Sequence, residues 1–167
     1  MEQLFAYSGL IVTLWISLGV YLVAKYYPGY DHIEQFCSEL GAKGSPTQTL
    51  SPIINNYPLG LLFCFSGWHV IQLELDNVMM VIAGTLIIVH GIGTWVAGYF
   101  PMDKDPYTKA PSFDCQVHSW TGFIMLLSLL AAIALVAFSV TDPIISIEFR
   151  IYSGATFILA VFFLFKM

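Results

Sequence analysis

The sequence predicts an all-α fold: an integral membrane helical bundle of about five transmembrane helices plus one short interfacial helix. Three observations predict it. Hydrophobic residues make up 57% of the chain and charged residues only 10%, where soluble domains carry about 25% charged residues. Mean hydropathy is +0.76. Apolar stretches also recur at the length a bilayer demands, since a hydrocarbon core of about 30 Å takes roughly 20 residues of helix. Helix is the only regular form open to them, because isolated spans must satisfy their own backbone groups where water is absent.

The first span covers residues 4–24, LFAYSGLIVTLWISLGVYLVA. It is not a cleavable signal peptide: no basic segment precedes it, the apolar run is too long, and no small-residue cleavage site follows. The second, about 54–74, opens on Asn55 and Asn56 with Pro58 close behind. Its first turn is expected to be broken, with backbone groups exposed to a cavity. The third, about 78–99, carries Gly84, Gly91, Gly93 and Gly98. Small residues let helices approach closely, which puts this span at the centre. The fourth and fifth cover about 118–140 and 146–165. All of 1–167 reads as one transmembrane domain.

Two connections are long and polar, 25–53 and 100–117, and five spans place both on one face of the membrane. On the other face lie the tight link Leu75–Asn77 and the turn Thr141–Ser146. The polar-loop side holds Lys25, Lys43, Lys104, Lys109 and Lys166, against Arg150 alone opposite. By the positive-inside rule the polar-loop side is cytoplasmic.

The stretch YDHIEQFCSELG, from Tyr30 to Gly41, supplies the interfacial helix. Ile33, Phe36, Cys37 and Leu40 recur at helical spacing and make one apolar stripe. Asp31 is placed to cap the start and Gly41 to end it, so helix is expected over 31–40, its stripe turned inward. Glu39 then falls in the last turn, where a carboxylate faces the negative end of the helix dipole. A residue placed against stability there is a functional candidate, and replacing it by Gln is expected to leave stability unchanged or raised.

The second loop, FPMDKDPYTKAPSFDCQVH, brings Asp103, Asp105 and Asp114 to the same face, with His118 at the mouth of the fourth span. Glu39, Asp103 and His118 are the candidate catalytic residues, expected to converge as base, orienter and acid or as metal ligands. His32, Ser38 and Asn56 are the candidate binding residues. The alternative is an interloop polar lattice without activity, since loops need hydrogen-bond partners in any case. At depth, His69 and His90 are functional candidates as intramembrane ionisable groups, or neutral rings bonded to a neighbouring helix. Glu148 and Arg150 form a surface pair or reach toward the headgroups.

Several classes are excluded or not indicated. Six Lys and Arg against eleven Asp and Glu, net charge −5, make no basic face for nucleic acid. Cys37, Cys64 and Cys115 show no C-x-x-C spacing for zinc or redox chemistry. His69 and His90 lie at different depths, so they do not pair as haem ligands. The sequence indicates no cofactor and leaves a metal undetermined.

The runs Y-P-G-Y-D-H (Tyr27–His32), S-E-L-G-A (Ser38–Ala42), G-S-P (Gly44–Pro46) and F-P-x-D (Phe100–Asp103), with Asn56 and His118, resemble a family of small multi-pass membrane proteins. That family is known as a domain of unknown function, family nine-nine-eight. The likeness covers about residues 5–140. It implies that Ser38, Glu39, Gly41, Pro46, Asn56, Asp103 and His118 are the family's marked positions. It implies an exoplasmic polar-loop side, opposite to the charge count. It further implies six spans, the sixth helix being missing here or supplied by a partner membrane protein. Three functions follow as expectations: a lipid-acting hydrolase using Glu39, Asp103 and His118, a binder of membrane lipids or small molecules, or an accessory subunit of a larger membrane complex.

Overall fold

The computed structural model describes residues 2–139 and 145–166, with the backbone alone at Glu2 and Leu4. Five α-helices follow in order: α1 Glu2–Ala24, α2 Tyr57–Leu73, α3 Val78–Tyr99, α4 Phe113–Phe138 and α5 Ile147–Leu164. There is no strand among the described residues. Four helices are long and apolar enough to cross a membrane: α1 from Phe5 onward, α3, α4 and α5. Large side chains such as Leu14, Ile151 and Ile158 stand exposed on their outer faces, as helices apolar on every side require of a surrounding of lipid. The protein is an integral multi-pass membrane protein.

Helix α2 has only 17 residues, and a π turn, Pro52–Asn56, runs directly into it. The broken first turn expected from Asn55, Asn56 and Pro58 thus takes a defined form. Pro58 has no N–H to offer the carbonyl four residues back, that of Ile54. The Trp15 indole of α1 donates to that carbonyl at 2.8 Å. Asn56 meanwhile donates from its side chain to Thr94 O on α3 at 3.2 Å.

Packing follows chain order, α1 on α2, α2 on α3, α3 on α4 and α4 on α5. Helix α3 lies in the middle of this array, as its glycines predict. Gly84 and Gly91 abut α2, Gly93 abuts Met125 of α4, and Gly98 abuts Asn56 and Pro52. Gly60 and Gly67 of α2 face Gly91 and Gly84 in antiparallel register. A Cβ on any one of these four would fall within 2.7 Å of its opposite glycine's carbonyl oxygen. The two backbones are therefore in direct contact.

Two boundaries differ from the sequence reading, and a third is not described. Helix α4 begins at Phe113, not 118, because Ser112 caps it by accepting from Cys115 N at 3.3 Å. Its first turn is polar and stands above the apolar run, so hydropathy alone does not register it. His118 consequently lies in the second turn and not at the helix mouth. The turn Thr141–Ser146 falls mostly outside the described residues.

The second difference concerns the interfacial helix over 31–40, which forms only in part. Asp31 Oδ1 accepts from Ile33 N at 2.8 Å, and Gln35 Oε1 accepts from Asp31 N at 2.9 Å, closing a turn. Phe36 is then extended (φ −69, ψ 145), and a 3-10 helix of five residues runs Cys37–Gly41. Side chains that hydrogen-bond the backbone locally compete with continuous helix, and Asp, Gln and Glu all do so here. The apolar stripe is split as a result. Leu40 is wholly buried while Ile33 is 90% exposed.

Candidate functional site

The polar-loop face is built around Leu40. Its carbonyl accepts from Ser45 Oγ at 2.9 Å and from Thr47 Oγ1 at 2.6 Å, drawing the return segment of the first loop beneath the 3-10 helix. Thr47 and Ser45 are buried with it. The first loop then meets the second through backbone, Lys43 N donating to Met102 O at 2.8 Å. Ala42, Met102 and Cys115 close an apolar cluster at that junction. The Phe36 and Tyr107 rings stand 6.5 Å apart farther out.

Within this face the three candidate catalytic side chains are separately engaged. Glu39 occupies the third position of the 3-10 helix, not the last turn of an α-helix. Its Oε1 accepts from Phe36 N at 2.8 Å and its Oε2 from Gln35 Nε2 at 2.9 Å. A carboxylate there faces the positive end of the turn, so Glu39 does not oppose stability as its place in an α-helix over 31–40 would require. Asp103 grips Ser112 at both oxygens, with Ser112 N at 2.7 Å and Ser112 Oγ at 2.7 Å. The backbone and hydroxyl donors of Ser112 hold the Asp103 carboxyl below the usual carboxylate range, with smaller contributions from Cys115 and Lys43. Asp103 thereby clamps the α3–α4 connection onto the cap of α4.

His118 reaches from α4 to the end of α3. Its Nδ1 lies 3.0 Å from Ala97 O and 2.9 Å from Phe100 O. Two carbonyl acceptors require the proton on Nδ1; Ala97 lies in the last turn of α3 and Phe100 is the residue that caps it, where partners inside the helix run out. Among the described residues no hydrogen bond or ion pair joins any two of Glu39, Asp103 and His118. Asp103 and His118 secure the same helix connection, and Glu39 secures the first loop. Nor, among those residues, do three His, Cys, Asp or Glu side chains gather as metal ligands would.

The candidate binding residues divide similarly. Asn56 is half-buried at the π turn, and Ser38 is exposed on the 3-10 helix. His32 is exposed and meets the Tyr30 ring edge-on at 5.0 Å. It lines a shallow groove on α1 with Cys37 and Val20. Tyr30 itself donates to Phe36 O at 3.2 Å. Burial, with Cys37 and Glu39 beside it, pushes its phenol up to about 12. At depth, His90 Nδ1 lies 3.0 Å from Met125 O on α4, the bonded-ring alternative. Arg150 turns to Ser139 O at 3.0 Å and thus caps α4 instead of pairing with Glu148.

The feature of greatest chemical consequence lies elsewhere. A cavity of about 490 Å³ opens between α2, α3, α4 and α5 toward the face opposite the polar loops. Val70, Met80, Ala83, Ala132, Val136 and Phe149 form its apolar wall, with Ser66 on α2 and Ser153 on α5. Reasoning on charged and ionisable residues passes over such a place. Its sequence signal is faint: Ser66–Gly67 and Ser153–Gly154 are small pairs in otherwise bulky helices, where side chains leave room.

A family model described as a protein of unknown function (DUF998) matches residues 10–167. No curated protein and no solved structure matches the chain.

Proposed function

The chain belongs to the DUF998 family, and from that premise we propose that it binds a membrane-dissolved apolar ligand in the cavity between α2 and α5. The cavity is the observation that carries this reading. Its volume of about 490 Å³ lies within the ~300–1,000 Å³ of small-molecule sites, which favour the spaces between bundle helices. A void left empty lowers stability in proportion to its volume, so within a bilayer this space is filled by an acyl chain or by a lipid of similar bulk. Hydrolysis by Glu39, Asp103 and His118 has less support, since each group is held by neighbouring backbone and none faces another. The polar-loop face serves in this reading as the rigid cap of the bundle.

The test is photolabelling of purified protein in nanodiscs with an alkane that carries a diazirine. Adducts are expected on the cavity wall, and Ala132→Phe, which places a ring in the space, is expected to remove them. Adducts spread evenly over the outer faces of α1, α4 and α5, unchanged by Ala132→Phe, would refute the reading.

A further inference from the structure

The cavity is short and wide. On α2, α3 and α4 alike its wall covers two helical turns: Ser66 to Leu73, Met80 to Ile87 and Leu129 to Val136. Two turns rise about 10 Å at 1.5 Å per residue. The outer end lies at the membrane face of the short link, where Leu73 is the last residue of α2 and Ser146 caps α5. The inner end comes where three helices are tied together. One turn inward of Ile87, the His90 ring meets the Phe63 ring of α2 with centroids 4.3 Å apart. Its Nδ1 lies 3.0 Å from Met125 O of α4. Phe63 and Met125 are themselves one turn inward of Ser66 and Leu129, so this layer stands directly past the wall on all three helices.

We infer that the ligand is a compact fused-ring lipid, taken from the leaflet on the short-link side, and that the Phe63–His90 layer is the stop that sets its length. The inference rests on the reading that the cavity is a ligand site, and it narrows the class. A volume of about 490 Å³ over about 10 Å of depth gives a mean cross-section of about 50 Å². A single polymethylene chain, with neighbours at van der Waals contact about 4 Å away, fills roughly 20 Å². A chain extended through a leaflet of about 15 Å would also run into the stop. Inside a bilayer the surrounding tails are as apolar as the wall, so burial alone confers no preference. Selection then falls to the number of contacts made, and to how little rotational freedom the ligand loses. A rigid ring body fills the width, ends before the stop and has few rotors to freeze.

Competition against the alkane photolabel in nanodiscs tests this with androstane and nonadecane, hydrocarbons of equal carbon number that differ in shape alone. At matched mole fractions androstane is expected to displace the label about three- to tenfold more strongly, through contacts that a single chain forgoes. Phe63→Ala and His90→Ala, which open the inner end, should each narrow that ratio by admitting the chain, and the milder Phe63→Leu should narrow it less. Leu61→Ala, on α2 but outside the cavity wall, should leave it unchanged. Equal displacement by the two hydrocarbons, or stronger displacement by nonadecane, would overturn the ring class while leaving the cavity a binding site. A ratio unmoved by all three Phe63 and His90 variants, or moved as much by Leu61→Ala, would overturn the stop. Failure of the photolabel to reach the cavity wall at all would remove the ligand site and this inference with it.

Discussion

Adding one methyl group to a helix glycine should have opposite effects at two places in this protein. At Gly67 a Cβ would fall 2.4 Å from Gly84 O and 2.9 Å from Ile88 N, both backbone atoms of α3 that cannot rotate away. Ordinary contact begins near 3.4 Å, so α2 and α3 must part by about 1 Å. Overpacking of this kind costs about 1–3 kcal/mol, partly offset by the ~0.5–1 kcal/mol that Ala gains over Gly in helix. Gly67→Ala is therefore expected to lose about 0.5–2 kcal/mol. At Gly122 of α4 nothing lies within 4 Å of the same atom, and only the gain remains, so Gly122→Ala should stabilise by about 0.5–1 kcal/mol. Reversible unfolding in mixed micelles, followed by tryptophan fluorescence, measures both on one scale. Gly67→Ala as stable as wild type, or Gly122→Ala losing as much as Gly67→Ala, would refute backbone contact as what holds α2 to α3.

Two further outcomes concern the polar-loop face. The Asp103 carboxyl titrates lower in the folded protein than in the unfolded chain, so its contribution is complete above its unfolded value of 3.8 and fades as pH falls through the lower folded value. The thermal midpoint of wild type should accordingly exceed that of Asp103→Asn at neutral pH, and the gap should close on acidification below that value; a gap constant with pH would mean that charge is not involved. Glu39→Gln should lower stability by about 1 kcal/mol, since the amide keeps the acceptor for Phe36 N but meets the Gln35 amide nitrogen with a donor. A rise in thermal midpoint for Glu39→Gln would restore the opposing-dipole argument.

What was legible in the sequence was whatever depends on hydrophobic length and on residue size. The apolar runs set the helices, and the glycines of α3 announced its central place. The polar loops were legible only as composition. Ile33 and Leu40 share a helical stripe on paper, yet one ends exposed and the other buried, because Asp31, Gln35 and Glu39 bond to backbone at a range that periodicity does not register. The dipole argument for Glu39 depended on which helix it occupied, and a shift from α to 3-10 reversed its sign. His118 and Asp103 were recognised as a pair of interest from their residue types. Their partners, the carbonyls ending α3 and the cap Ser112, are backbone or bland side chains, and composition does not point to them. The cavity escaped for a related reason: its wall is made of the same residues as every lipid-facing surface, and only their arrangement encloses a space.

The bond from the Trp15 indole to Ile54 O also bears on how the protein is made. A carbonyl without a donor costs several kcal/mol in hydrocarbon, and the π turn leaves Ile54 O without Pro58's N–H. Without α1 beside it, α2, a helix of only 17 regular residues, would keep that deficit. The donor stands 39 positions earlier in the chain, so synthesis delivers α1 to the membrane before the acceptor emerges. The start of α2 is thus completed only when α1 lies beside it, which ties the two helices together as one unit.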